Sequence, residues 1–209
     1  MKKSLAIIIA LLAGLICEAR PGAEEFRGRV SFGLEWGYCQ NFYKFRHINI
    51  ISQEGSRIND SFSGFSAHPN GSIMAKIGYD LSEEVRTSLH FGYAGISDDT
   101  RVYPLLLRMH YAKHGQYGEG IFGFVDAGPG FRTKPGEYDW TAVIMADLGG
   151  GYRISLSPLN SLDLMLSVRA IYDRPAIDNP EGEGYVLPEN IRSNVAEYYS
   201  LCITIGLNF

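Results

Sequence analysis

The stretch of sequence that decides the fold is the last one, YSLCITIGLNF at residues 199–209. Every second residue in it is apolar, beginning with Tyr199 and ending with Phe209, and the residues between them are small or polar. A period of two predicts a β-strand with one apolar face and one polar face. Which of the two faces lies inside the protein depends on the rest of the chain.

The same period recurs upstream and predicts seven further strands. They cover residues 29–38, 73–80, 86–93, 103–111, 121–131, 141–153 and 162–172. The strand at 121–131 is the least regular, because Phe122 and Phe124 share a face with Asp126, and a β-bulge would correct its pattern. With the C-terminal strand the total is eight, an even number as in bacterial membrane barrels.

The size of the side chains indicates that the apolar set faces outward into lipid, and not inward as in a soluble ligand-binding barrel. The interior of an eight-stranded barrel is barely wide enough for its side chains. The bulky apolar set does not fit there, whereas the alternate set is rich in Gly and Ser. The sequence therefore predicts an all-β fold, an eight-stranded antiparallel up-and-down transmembrane β-barrel.

The placement of aromatic residues supports this orientation. They fall at strand ends with aliphatic residues between them, as in the interfacial girdles of membrane barrels, whereas ordinary β-propensity would scatter them. They are Trp36, Tyr38, Tyr79, Tyr93, Tyr103, Tyr111, Tyr152, Tyr172, Tyr199 and Phe209.

The N-terminus predicts export. Lys2 and Lys3 precede an apolar run over residues 5–16, and a cleavage site follows, so residues 1–19 are interpreted as a signal peptide. A membrane anchor is one alternative, but the run is shorter than the ~20 residues of a transmembrane helix. A lipoprotein acylated at Cys17 is the other, although Ile16 stands where a small residue is usual. Residues 20–209 then form one barrel domain in the cell outer membrane.

The average composition is compatible with this location. The mean hydropathy is −0.07, as expected when lipid-facing and lumen-facing residues alternate and cancel. The net charge of −4 gives no reason to propose nucleic acid as a partner.

Alternating connection lengths predict the direction of the strands. The shorter links, at 81–84, 113–120 and 155–160, are expected on the periplasmic side, and the long loops near 40–71 and 173–196 are expected outside. Within the first long loop, residues 44–51 and 57–65 can pair across 52–56 as a hairpin above the membrane. A ten-stranded barrel is the alternative, but the apolar pattern slips between Phe45 and Ile48.

The residues predicted to face the lumen carry charges of both signs. They are Arg29, Lys76, Arg86, Arg108, Arg153, Arg169, Glu35, Asp80, Asp126, Asp147 and Asp163. Six positive charges nearly cancel five negative ones, and an unpaired buried ion costs several kcal/mol, so we predict a network of ion pairs that plugs the barrel. A narrow polar pore lined by the same residues is the alternative, and it requires water between the charges.

The histidines give no indication of a metal or other cofactor. They show no repeating spacing and no Cys or carboxylate box beside them. They are His47, His68, His90, His110 and His114. Ser66 and His68 come nearest to a nucleophile with its base, but in a loop where Ser is common, so no enzyme activity is predicted.

Two cysteines have inward parity on strands that are neighbours in a closed barrel. Because Cys39 and Cys202 are predicted at different heights, two buried thiols are expected, with a disulfide as the alternative.

The strand that ends on Phe209 resembles the C-terminal strand by which outer-membrane barrels are recognised and inserted. In pattern, residues 20–209 resemble the small outer-membrane β-barrel family typified by the OmpA and OmpX barrels. The stretches YPLLLR at 103–108 and GFVDAGPGF at 123–131 are similar to the porin-like members of that family. The resemblance implies the fold and the compartment, with outer-membrane lipid and the barrel-insertion machinery as partners.

The same resemblance implies no catalytic residue, because family members range from structural proteins to adhesins and narrow channels. The expected protein is a monomeric, plugged barrel of structural or surface-interaction type, whose long loops are available to an extracellular ligand. A narrow passive channel is the first alternative, and a lipid-modifying enzyme is the second.

Overall fold

Nine β-strands account for most of the structure, and each pairs antiparallel with its neighbours. The computed structural model describes residues 29–52, 55–96, 100–133, 140–157, 160–180 and 182–209. The predicted signal peptide at 1–19 lies outside these ranges. The strands are β1 (Val30–Ile51), β2 (Arg57–Phe65), β3 (Pro69–Asp80), β4 (Val85–Gly95), β5 (Arg101–Ala112), β6 (Gly120–Thr133), β7 (Trp140–Ser155), β8 (Ser161–Asp173) and β9 (Ile191–Asn208), and a 3₁₀ helix spans Pro188–Asn190.

Eight of these nine strands close into a barrel. β1 and β3 to β9 pair in chain order, and β9 pairs back with β1, from Gly33 opposite Asn208 to Ile50 opposite Ile191. The predicted eight-stranded antiparallel barrel is confirmed. The links 81–84 and 113–119 and the end of β7 at Ser155 lie at one end, here called periplasmic, and the connection 66–68 and the end of β8 at Asp173 lie at the other, here called outer.

The ninth strand, β2, stands above the barrel wall. It pairs with the upper part of β1, from Tyr43 opposite Phe65 to Ile51 opposite Arg57, while β3 pairs with the lower part of β1. This is the hairpin predicted from 44–51 and 57–65, and we call β2 with residues 43–51 the outer ribbon. The ten-stranded alternative is wrong, because the two arms lengthen the wall upward and do not widen it.

Two long loops are therefore shorter than predicted. Most of the loop expected near 40–71 is strand, in the upper part of β1 and in β2. The loop expected at 173–196 covers only 174–190, because β9 begins at Ile191.

A β-bulge changes the facing of β1 halfway along its length. The register with β9 slips between Asn41 and Tyr43, which leaves Phe42 as the extra residue. Odd-numbered residues of β1 face inward up to Asn41, and even-numbered residues face inward above the bulge. The break in the apolar pattern that the sequence places between Phe45 and Ile48 thus begins at Phe42.

The bulge predicted within residues 121–131 is absent from β6. Its register with β7 is unbroken from Gly120 opposite Arg153 to Thr133 opposite Trp140. Phe122 and Phe124 point inward and are buried. Glycines on β7 make room for them, since a Cβ at Gly149 or Gly151 would lie 2.8 Å from the ring of Phe124 or Phe122, respectively.

The predicted orientation of the two faces is confirmed. Large apolar side chains cover the exterior of every barrel strand; Trp36 and Ile121, for example, are both 73% exposed, whereas Asp126 inside is 1% exposed. A continuous apolar exterior on a closed sheet is what a barrel presents to hydrocarbon, since closure leaves no unpaired edge. No helix in the described part of the chain is long and apolar enough to cross a membrane.

Candidate functional site: the charged lumen

The Glu35 carboxylate lies among basic side chains in the lower half of the lumen. It accepts hydrogen bonds from Lys76 Nζ at 2.9 Å and from Arg108 Nη1 at 2.8 Å. His90 Nδ1 lies 3.5 Å from the other carboxylate oxygen. The inward parity of β1, β3, β4 and β5 brings these four side chains together, and one acidic group thereby holds two cations in place.

Arg108 links Glu35 to the next strand. Its Nε donates to Asp126 Oδ2 at 2.7 Å, and its guanidinium lies 4.1 Å from the centroid of the Phe124 ring. The inward Phe124 that made the 121–131 pattern irregular thus packs on the arginine as a cation–π partner.

Direct pairing across neighbouring strands explains most of the other contacts. Arg169 holds Asp147 through two hydrogen bonds of 2.7 and 2.8 Å, and Arg153 holds Asp163 through two of 2.7 Å. In both cases, and for Arg108 with Asp126, the two residues stand opposite each other in the register. The register alone therefore creates these ion pairs.

Arg29 is the exception among the eleven charged residues that the sequence places in the lumen. It precedes β1, is exposed, and lies with its guanidinium 5.5 Å from the centroid of the Tyr117 ring. The other ten lie inside the barrel. They are Glu35, Lys76, Asp80, Arg86, Arg108, Asp126, Asp147, Arg153, Asp163 and Arg169.

The link at 113–119 folds into the periplasmic end of the barrel, which the sequence does not predict. Gln116 is 3% exposed, its side-chain NH2 donates to the Glu84 backbone carbonyl at 2.6 Å, and its own backbone carbonyl accepts from Arg153 Nη1. The Tyr117 hydroxyl donates to Asp80 at 2.9 Å. No local pattern marks these two residues, because they contact strands distant in sequence.

Tyr117 is fixed by charges as well as by packing. The guanidinium carbons of Arg29 and Arg86 lie 5.5 and 5.3 Å from the centroid of its ring. Partial burial raises the pKa of its hydroxyl, and the hydrogen bond to the Asp80 carboxylate raises that pKa further. The hydroxyl therefore remains a proton donor over the physiological pH range.

The outer half of the lumen is apolar. Inward side chains from six strands, with Ile96 just after β4, pack into one cluster, which contains Met74, Ala94, Ile96, Val102, Leu106, Val143, Met145, Ile171, Ala196 and Tyr198. Above this apolar layer, Arg132 Nε lies 3.2 Å from Asp173 Oδ1, and both residues are 1% exposed. The charged residues predicted for the lumen fill its lower half, and the apolar layer separates them from the Arg132–Asp173 pair at the outer end.

A small cavity lies where the charged half meets the apolar layer. Its volume is about 10 Å³, and Glu35, Arg108, Asp147, Arg169 and Leu106 are among the residues that line it. This volume holds roughly one water molecule.

Cys39 and Cys202 form a disulfide across the seam between the first and last strands. The two residues are directly opposite each other in the β1–β9 register, with their Cα atoms 4.0 Å apart. The expectation of two separate thiols is wrong, because the predicted difference in height does not exist once β1 extends past Tyr38.

The serine and histidine residues considered for catalysis or metal binding do not form a common site in the described part of the chain. Ser66 and His68 lie in the connection between β2 and β3, where Ser66 N donates to the Phe42 carbonyl and Asn41 N donates to the His68 carbonyl. His110 is buried in the lumen with its ring centroid 4.5 Å from that of Phe122. Across the described ranges, no three His, Cys, Asp or Glu side chains are grouped so that they could hold a metal ion.

Closure of the sheet, an apolar exterior and a charged interior together define an outer-membrane β-barrel protein. No family model and no curated protein matches the chain. Among solved structures, it is similar to Neisserial surface protein A, with a TM-score of 0.45 and 11% identity over 86% of this chain and 99% of that one.

Two further solved structures are similar. The N-terminal β-barrel domain of Pseudomonas aeruginosa OprF has a TM-score of 0.44 and 16% identity, over 88% of this chain and 100% of that one. Ail, the attachment invasion locus protein of Yersinia pestis, in complex with the heparin analogue sucrose octasulfate, has a TM-score of 0.36 and 11% identity, over 87% of this chain and 99% of that one. The assignment to the outer-membrane class rests on the closure and the exterior of the chain itself.

Proposed function

We propose that this protein is a non-conducting, monomeric barrel of structural or surface-interaction type, whose role lies in its extramembranous parts. The observation that carries the proposal is the filling of the lumen. In its lower half, acidic and basic side chains are in direct contact, and in its upper half the apolar layer fills the space between the strands.

The energetics of the two halves support a closed lumen. Opening the lower half would separate Glu35 from both Lys76 and Arg108, and breaking a buried ion pair costs about 3–5 kcal/mol. The apolar layer adds a second barrier, because an apolar constriction excludes water and hence hydrated ions.

The outer ribbon is the part best placed to meet other molecules. Its β2 strand is exposed along most of its length, and Phe65 at its lower end is largely exposed. The ribbon continues the barrel wall above the lipid-facing belt, so a surface partner reaches it without contact with the lumen.

A narrow passive channel is the second candidate function. The cavity of about 10 Å³ beside Glu35 and Arg108 favours it, because a pore requires water among the charges. If the ion pairs exchanged partners around that water, the charged half would become a polar path.

Conductance in planar bilayers distinguishes the two functions. We expect the purified barrel to be silent, and the double variant Leu106→Ala, Met145→Ala to conduct, because it removes bulk from the apolar layer. The matched control, Leu107→Ala with Leu148→Ala, changes lipid-facing side chains and stays silent. Wild-type conductance that disappears when Arg108 or Arg169 is changed would establish the channel instead.

A further inference from the structure

The bulge at Phe42 creates a groove on the outer surface of the seam. Above it, Tyr43 and Phe45 face outward, opposite Tyr199 and Glu197 of β9. Together with Phe42 these residues line an open cavity of about 540 Å³. Four aromatic rings and one carboxylate therefore surround a single surface site, which we call the seam groove.

The groove has an arrangement suited to a cation. The ring centroids of Tyr43 and Tyr199 are 6.0 Å apart, with the rings inclined at 52°. The Tyr199 hydroxyl donates to Glu197 at 3.1 Å, and no basic side chain in the described part of the chain pairs with this carboxylate. The faces of aromatic rings attract cations, so both components of the groove favour positive charge.

The nearest lysine and arginine face away from the groove, and His47, which shares its outward face, has its Nδ1 2.8 Å from Ser61 Oγ. Lys44 and Arg46 alternate with Tyr43 and Phe45 along β1 and so point to the opposite side of the strand. Lys44 Nζ lies 5.4 Å from the ring centroid of Tyr198, which is an inward residue. Lys44 and Arg46 therefore do not satisfy Glu197.

The height of the groove makes it accessible to a ligand from the outer side. Tyr199 lies in β9 ten residues before Phe209, which directly follows that strand. This separation corresponds to about 25 Å along the membrane normal for a strand tilted about 40°. This matches the height of the lipid-facing band, so Glu197 reaches the headgroup region or the solution just above it.

We infer that the seam groove binds a trimethylammonium group of the choline type. Such a group carries its charge without N–H donors and presents methyl groups to aromatic rings, which is the chemistry of aromatic cages. A primary ammonium needs several hydrogen-bond acceptors, and the groove presents one carboxylate already engaged by Tyr199. The inference deepens the proposed surface-interaction role and rests on it, but a conducting lumen would leave the groove unchanged.

The test uses the full barrel folded in octyl glucoside, a detergent without an ammonium group, and isothermal titration calorimetry. The probes are choline, glycerophosphocholine and 3,3-dimethyl-1-butanol, which has the shape of choline without its charge. We expect saturable binding of choline and roughly two- to fivefold weaker binding of the neutral analogue, the fold-change expected when an open cation–π site loses its cation.

Two variants locate the site. Glu197→Gln keeps the size of the side chain and removes its charge, and we expect choline to bind roughly two- to fivefold more weakly. Glu189→Gln removes an exposed carboxylate from the 3₁₀ helix and should leave binding unchanged. Heat-modifiable mobility on a denaturing gel shows that each variant has folded.

The outcomes separate the possible sources of the ligand. Glycerophosphocholine that binds as tightly as choline identifies a lipid headgroup, and binding of choline alone identifies a soluble ligand. The inference is overturned if the neutral analogue binds equally well, if Glu197→Gln binds choline normally, or if choline does not saturate the protein by about 100 mM. None of these outcomes depends on the bilayer measurement that tests the closed lumen.

Discussion

Cys39 and Cys202 join the first and last barrel strands through a disulfide, at positions directly opposite each other in the seam. Backbone hydrogen bonds between β1 and β9 close the sheet into a barrel, and the disulfide adds a covalent link between these two strands. It links residues 163 apart in sequence, and a cross-link over so long a segment restricts the unfolded chain strongly.

We expect loss of this disulfide to destabilise the barrel. Replacing both residues, Cys39→Ser with Cys202→Ser, should lower the free energy of unfolding by about 2–5 kcal/mol, measured by urea titration in detergent. Dithiothreitol should lower the unfolding midpoint of the wild type and leave that of the double variant unchanged. A wild-type midpoint that is insensitive to the reductant would contradict the prediction.

The Arg108 network makes a second prediction. Arg108→Met removes the guanidinium that both Glu35 and Asp126 contact, while the two carboxylates stay buried. We therefore expect the free energy of unfolding to fall by about 3–5 kcal/mol. Arg101→Met on the same strand changes an exposed arginine and should have an effect within about 0.5 kcal/mol. If both variants unfolded at the same urea concentration, the ion pairs of Arg108 would contribute nothing to stability.

Glycines in the wall provide a third prediction, with a matched control in the adjoining strand. A Cβ at Gly92 would overlap the Ile73 backbone carbonyl oxygen, whereas a Cβ at Gly71 would meet nothing within 4 Å. Gly92→Ala should therefore cost about 1–3 kcal/mol, because backbone must move, and Gly71→Ala should be neutral or slightly stabilising. Thermal unfolding followed by circular dichroism measures both, and equal stability of the two variants would refute the assigned packing.

Tyr117, in the link at 113–119, supplies a fourth prediction, which concerns the pH dependence of stability. Because the pKa of Tyr117 is raised in the folded protein, the protonated hydroxyl favours folding at neutral pH. This contribution is lost as pH rises through the folded-state pKa, above the ordinary value of about 10. Tyr117→Phe should remove this alkaline dependence and lower the free energy of unfolding at pH 7 by about 0.5–1.5 kcal/mol.

Tyr111→Phe is the control for this measurement, since Tyr111 is exposed on the lipid-facing side. Its alkaline unfolding profile should match that of the wild type. The link between Tyr117 and Asp80 would be refuted if Tyr117→Phe also matched the wild type.

The fold could be predicted because the period of two is a local property of the chain. Residues from Tyr199 to Phe209 show it without reference to any partner, and the bulk of the outward set decides which face meets lipid. A local period does not predict which residues of two distant strands lie opposite each other. The disulfide and the bulge at Phe42 depend on how β1 aligns with β9, and the sequence placed both incorrectly.

In the lumen, too, the sequence predicts the facing of side chains but not their partners. Parity predicts which charged residues face inward, but the partner of each depends on register, as for Arg153 with Asp163. Arg29 was misplaced because β1 begins one residue later, at Val30. The inward Leu106 and Met145 were visible in the pattern, yet their assembly into an apolar layer requires the stagger of strands around the barrel.

The continuity of β1 has a mechanical consequence. This strand runs from Val30 in the lipid belt to Ile51 in the outer ribbon, so a pull on the ribbon from outside is applied along the β1–β9 ladder in shear. When a ladder is pulled in shear, all its hydrogen bonds share the force, whereas a strand that is peeled from an edge breaks its hydrogen bonds one after another. Below the bulge the disulfide clamps the same ladder, and a force on the ribbon is therefore passed to the whole barrel and the membrane around it.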